Sequence, residues 1–219
     1  LYLTRYLSIG LAHCVTVTIP NPVINVTAGN SVNLNCAYNL ASSDTKNLLI
    51  QWNMMEAHSQ NQIAVYYFEN GQSFPMGRFK NRVTVYNNTG NASITISNMQ
   101  PQDTGFYTCA VSNLPDPIGM GHIQVIVQVA PSTPHCSIEG HMEVGHSVTL
   151  LCISKQGMPR PFYTWSRVEK DVLLPVNVEQ SEGIIVLGNM TKFEEGYYRC
   201  IASNSLGNAS CELDLTQGV

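Results

Sequence analysis

Short runs in which apolar and polar residues alternate recur along the whole chain: SVNLNC (31–36), SITIS (93–97), HIQVIVQV (122–129), HSVTLLC (146–152) and IIVLGN (184–189). Gly, Pro, Asn and Ser separate them. A period of two between turn residues predicts strands that turn alternate side chains toward a core. No stretch holds the 3.6-residue period of an amphipathic helix over a helix length. Regularly spaced short strands predict antiparallel sandwiches, so the expected fold class is all-β.

The alternating runs carry an internal repeat. Cys36, Trp52 and Cys109 in the first half, and Cys152, Trp165 and Cys200 in the second, fall in the Cys, Trp, Cys order of an immunoglobulin sandwich, in which the indole packs against a bridge between the sheets. Tyr107 and Tyr198 each stand two residues before the second cysteine, where a phenol hydroxyl ties a loop to its strand. The first cysteine pair spans 73 positions and the second 48, and the difference leaves room for two more strands. A V-type sandwich followed by a C2-type sandwich is therefore expected, with IAVYYF (63–68) as one added strand. Arg82 and Asp103 suit an ion pair at the bottom of the first domain, worth about 0–1 kcal/mol if exposed. The boundaries read as 15–129 for the V-type domain, 130–134 for a proline-stiffened linker, 135–216 for the C2-type domain and 217–219 for a tail.

Cys136 and Cys211 are left over in the second domain. Cys211, Leu213 and Leu215 alternate on one strand and face the core, while Glu212 and Asp214 face water; Cys136 and Ile138 alternate likewise. With Cys152 and Cys200 assigned to the bridge beside Trp165, Cys136 pairs with Cys211 by elimination. Cys14 remains without an assigned partner.

Composition narrows the setting. Charged residues make up 12% of the chain and the formal net charge is -4, which supplies no basic field for nucleic acid. Seven cysteines, with Asn-x-Ser/Thr acceptors at Asn25, Asn87, Asn91, Asn189 and Asn208, point to the oxidising, glycosylating secretory route. Residues 1–14, LYLTRYLSIGLAHC, read as the remnant of a signal peptide. No run of apolar residues is long enough to span a bilayer, so membrane anchoring is expected through a segment outside this chain.

Chemistry is sparse. His135, His141 and His146 cluster near Cys136, but an oxidised cysteine offers no thiolate to a metal. No phosphate-binding glycine loop and no nucleophile–base set has a defensible spacing. No metal, cofactor or catalysis is expected. Strand parity instead marks a surface. If Ile50, Trp52, Met54, Tyr107 and Cys109 point inward, then Leu49, Gln51, Asn53, Phe106, Thr108 and Ala110 point outward, with Tyr66 joining them from the neighbouring strand. An exposed Phe among uncharged neighbours suits a docking face. Asn25, Asn87 and Asn91 are expected away from that sheet.

The cysteine framework, with NASITISNMQPQDTGFYTC (91–109) and FEEGYYRCIASNSLGNASCELDLT (193–216), resembles the cortical thymocyte marker group of immunoglobulin-superfamily adhesion proteins, relatives of the junctional adhesion molecules. That resemblance implies the ectodomain of a type I membrane glycoprotein on the outer face of the cell membrane, at cell–cell junctions. Its V-type domain would dock through the G-F-C-C′ sheet, with a second copy of itself as partner. The alternative is an immune-regulatory receptor or ligand that binds a different cell-surface protein through the same face. The Arg-Val-Glu motif of junctional relatives stands here at Arg167–Glu169, in the wrong domain for that role.

Overall fold

A computed structural model of the chain describes residues 14–216 apart from 42, 58, 60, 87, 177–181 and 189. The signal-like segment up to residue 13, the acceptors Asn87 and Asn189 and the 217–219 tail therefore lie outside the described residues. The chain divides into two compact units between Val127 and Gln128.

The first unit contains β1 (Thr16–Thr18), β2 (Val23–Thr27), β3 (Val32–Leu34), β4 (Ala37–Asn39), β5 (Leu48–Glu56), β6 (Gln62–Glu69), β7 (Gln72–Pro75), β8 (Val83–Val85), β9 (Ile94–Ile96), β10 (Gly105–Asn113) and β11 (Gly119–Gln128). Its larger sheet runs β2-β11-β10-β5-β6-β7, and β3-β9-β8 with the β1-β4 pair forms the opposing layer. Strands β6 and β7 fill the extra length between the cysteines of this half. Trp52, fully buried, is the register partner of Cys109, whose sulfur is bonded to Cys36. Its indole nitrogen donates to Ala92 O at 2.8 Å, so the ring fills the core without leaving its polar atom unpaired. Gly121 interrupts the apolar pattern of β11 for a packing reason: a Cβ there would stand 2.4 Å from Ile19 Cγ1, where the first segment crosses the strand.

The bottom of this unit departs from a surface ion pair. Asp103 is 0% exposed; Oδ2 meets Arg82 Nη2 at 2.5 Å and accepts from Gln100 N at 2.8 Å, while Oδ1 faces Arg78 Nε at 3.3 Å without hydrogen-bond alignment. Both guanidinium groups also lie 5.3 Å from the centroid of the buried Phe79 ring. Two cations around one buried carboxylate make its removal far costlier than that of an exposed pair.

The second unit contains β12 (His135–Gly140), β13 (Val148–Ile153), β14 (Phe162–Glu169), β15 (Val172–Pro175), β16 (Ile184–Leu187), β17 (Tyr197–Asn204) and β18 (Gly207–Asp214). They form two sheets, β12-β13-β16 and β15-β14-β17-β18. Two tandem immunoglobulin sandwiches, nearly all strand, are thus the architecture. Tyr107 donates to Asp103 O at 2.8 Å and Tyr198 to Glu194 O at 2.9 Å, so each unit has its tyrosine corner. Burial pushes both phenols above their ordinary range, Tyr107 further because it is the more deeply buried, with the Asp103 charge adding to burial and Arg78 and Arg82 opposing it.

In the second unit Cys136 pairs in register with Cys152 on one sheet, and Cys200 with Cys211 on the other. Bridges Cys136–Cys211 and Cys152–Cys200 therefore run side by side between the sheets, with Cys152 Sγ 3.9 Å from Cys211 Sγ. Cys14 is exposed and has no disulfide partner among the described residues. The 130–134 segment, read from the sequence as a linker, is fastened into the second unit. Val129 and Met158 exchange backbone hydrogen bonds of 2.8 and 2.9 Å, Ser132 N donates to Gln156 O at 3.2 Å, and Pro131 and Pro134 are buried.

Candidate functional site

The outward face of the larger sheet in the first unit assembles in rows set by strand register. Gln124, Phe106, Met55 and Gln62 form one; His122, Thr108, Asn53 and Ala64 the next; Met120, Ala110, Gln51, Tyr67 and Phe74 a third. A fourth joins Ser112, Leu49, Glu69 and Gln72. Leu49, Gln51, Asn53, Thr108 and Ala110 are half-buried among their neighbours, and Phe106 stands out at 44% exposure. Met55, Phe74 and Met76 at 43% and Met120 at 57% complete an apolar surface. Of all these positions only His122 and Glu69 can carry charge, and His122 Nδ1 lies 3.0 Å from Thr108 Oγ1. Charge depletion with Phe, Tyr and Met enriched is the composition of an interface core.

Two shallow hollows dent this surface. One, of about 410 Å³, is bordered by Met55, Gln62, Phe106 and His122; the other, of about 470 Å³, by Gln51, Ala64, Tyr67, Phe74 and Met76. The Gln51 and Asn53 side chains are tied to each other at 3.1 Å, which holds the amides flat against the strand between the hollows.

One residue expected on this face is elsewhere. Tyr66 is 4% exposed, and its hydroxyl lies 3.0 Å from Ser73 Oγ. The register between β5 and β6 shifts after Trp52: Trp52 pairs with Tyr66 but Asn53 with Ala64, so a bulge at Val65 inserts one residue and turns both Val65 and Tyr66 inward. Tyr67 and Ala64 take the outward places. Met55 and Met120 follow the same parity as the predicted residues and could have been named by extending it. Phe74 and Met76 could not, because the cysteine spacing called for a second added strand without marking where in the sequence it lies.

The acceptor asparagines distribute unevenly. Strand β2 joins the larger sheet at its edge, so the exposed Asn25 borders this apolar face on its β11 side rather than standing away from it. Asn91 belongs to the opposing layer, bridged to Ala37. In the second unit Asn208 is exposed on β18, paired with Ser203, which faces Phe162 across the sheet. A glycan there would cover the outward face of the second sandwich. His135, His141 and His146 are exposed, with the His141 and His146 rings 5.8 Å apart. The sulfurs of Cys136, Cys152 and Cys211 lie within 4.8 Å of one another, but all three are in disulfides and none is a thiolate.

Comparison with known proteins gives a consistent family. The immunoglobulin V-set domain matches residues 19–129, and an immunoglobulin domain model matches 131–204. V-set and immunoglobulin domain-containing protein 1 of Xenopus laevis is 55% identical over 100% of this chain, and its Gallus gallus counterpart 47% identical over 94%. The chain spans 70% of the length of the frog protein and 63% of the chicken protein. Among solved structures, the amphioxus IgVJ-C2 molecule superposes with a TM-score of 0.60 at 22% identity, covering 89% of this chain and 100% of that one, which shows the shared fold. Among the described residues, no helix is long and apolar enough to cross a membrane.

Proposed function

The chain belongs to the V-set and immunoglobulin domain-containing proteins of the immunoglobulin superfamily, and on that footing we propose that it is an adhesion ectodomain whose V-type unit docks on a second copy of itself through the β11-β10-β5-β6-β7 face. The observation that carries this reading is the uncharged apolar surface around Phe106, Met55, Met120 and Phe74. Strands about 4.8 Å apart, with outward positions roughly 6.8 Å apart along each, give rows spanning about 20 by 20 Å. That is the centre of an interface of ordinary size, ~800 Å² per partner.

Self-pairing suits a surface of this kind. A face with almost no charge imposes no requirement for an oppositely charged partner, and a two-fold axis would set the protruding Phe106 of one copy against the hollows of the other. Asn25 at the β2 edge limits how far the contact extends beyond β11. The second unit, with its two bridges and the Asn208 acceptor on its sheet, serves as a braced and sugar-covered spacer. The acting position is the extracellular side of the cell membrane.

The test is clustering of beads coated with the glycosylated ectodomain. Aggregation that is lost with Gln51→Arg supports the reading, because Gln51 lies at the centre of the face and its replacement places a charge there. Beads that stay dispersed while the same protein binds cells lacking it would favour a different cell-surface partner.

A further inference from the structure

Another concavity in the V-type unit lies behind the docking face, and nothing in the adhesion reading uses it. This cleft of about 350 Å³ opens between β7 and the 88–93 segment. Tyr38, Ile50, Tyr66 and Phe68 form its floor, and Thr89 and Asn91 stand on its rim. Its size falls at the low end for small-molecule sites, ~300–1,000 Å³. The floor is aromatic and aliphatic, while the Tyr66 and Ser73 hydroxyls, 3.0 Å apart, supply a polar pair at one wall. An apolar floor with hydroxyls at its margin matches a pyranose ring, whose C–H faces are apolar and whose edge is polar.

The rim carries the means of filling it. Asn91-Ala92-Ser93 is an acceptor sequence for N-linked glycan. Asn91 Oδ1 accepts from Ser93 N at 2.9 Å, which fixes the plane of the amide. Its Nδ2, the atom that bears a glycan, has no hydrogen-bond partner among the described residues. Ser93 is itself held: it is 9% exposed and its Oγ accepts from Cys36 N at 2.9 Å. Ala92 N donates to Cys36 O at 2.8 Å, so the whole tripeptide is locked against the strand of the first disulfide. A sugar on Nδ2 therefore starts from a rigid anchor at the mouth of the cleft, which removes most of the ordering cost of binding.

We infer that the cleft is the seat of the first N-acetylglucosamine of a glycan on Asn91, with the sugar ring lying over Phe68 and its polar edge toward Tyr66 and Ser73. The covered cleft closes the open side of the sandwich behind β6 and β7. An N-acetylglucosamine brought by a glycan from another molecule would lack the tether, so the own-chain sugar is the occupant.

The experiment uses the chain with Asn25, Asn87, Asn189 and Asn208 replaced by Gln, made in mammalian cells restricted to high-mannose glycans and trimmed to one N-acetylglucosamine by endoglycosidase H. The comparison is the same protein treated with peptide-N-glycosidase, which leaves Asp at position 91 and so keeps the acceptor oxygen for Ser93. The expected result is an occupied Asn91 by peptide mass. The acetyl methyl should be shifted upfield by ring current with nuclear Overhauser contacts to Phe68 and Tyr66, and the melting temperature should exceed that of the sugar-free form. Phe68→Leu, which keeps the apolar fill without the ring, should return the methyl toward its free-sugar position. An unmodified Asn91, or an acetyl methyl at its free-sugar position without contacts to those rings, would overturn the inference.

Discussion

Replacing Cys136 and Cys211 together by Ala isolates the worth of the second bridge. Both must go, because a lone thiol at Cys211 would lie 3.9 Å from the sulfur of Cys152 and invite exchange. The bridge spans 75 positions, and a closure of that length would contribute about 4.5 kcal/mol in the chain-entropy model. Nesting changes the figure. Cys152–Cys200 already encloses 48 of those positions, so the outer bridge closes an effective loop of about 27 residues. The same relation then gives about 3.5 kcal/mol. Amide hydrogen exchange reads this directly, since the slowest amides of β13 and β17 exchange through opening of the whole unit. At ~1.4 kcal/mol per tenfold, they should exchange about 300-fold faster in the double variant. The β5 and β10 amides of the other unit should not change. An acceleration under about tenfold would refute the entropic account, and one well above 1,000-fold would refute the shortening by nesting.

Asp103→Asn leaves Arg78 and Arg82 without their buried counter-charge; it should cost about 3 kcal/mol, or roughly 12 °C in the first unit's midpoint at ~4 °C per kcal/mol, and calorimetry showing under about 1 kcal/mol would contradict the burial argument. Burial raises the Tyr66, Tyr107 and Tyr198 phenols above the ordinary value of 10.0. Because the folded values lie above the unfolded ones, this stabilisation is complete below about pH 10 and is lost as pH rises through the folded values. Ultraviolet titration should show late phenolate absorbance that appears together with unfolding and shrinks in Tyr66→Phe, Tyr107→Phe and Tyr198→Phe; no such late fraction would count against it.

Where the chain has a strict period, its sequence could be read to the level of individual side chains. The Cys, Trp, Cys order fixes which residues face the core, because the strand period of two leaves no freedom once one position is set. Hence Phe106, Thr108 and Ala110 on β10 are outward, and Cys211, Leu213 and Leu215 inward. The misplacement of Tyr66 has the converse cause: a bulge at Val65 adds one residue to β6, and neither glycine nor proline marks it. Asn25 stands at the edge of the larger sheet rather than away from it because Pro20 and Pro22, just before β2, allow the chain to cross from one layer to the other, a crossing that strand parity does not reveal. The burial of Asp103 depends on Arg78 and Phe79 approaching from a separate turn, a tertiary arrangement that spacing between Arg82 and Asp103 could not reveal.

Docking of like V-type faces is tested most directly by sedimentation equilibrium of the glycosylated ectodomain at rising concentration, with Phe106→Arg run beside it. The account predicts a reversible monomer–dimer equilibrium that the variant abolishes while its melting temperature holds, since Phe106 is 44% exposed and lies outside the core. A strict monomer throughout, or a dimer that Phe106→Arg leaves intact, would contradict it.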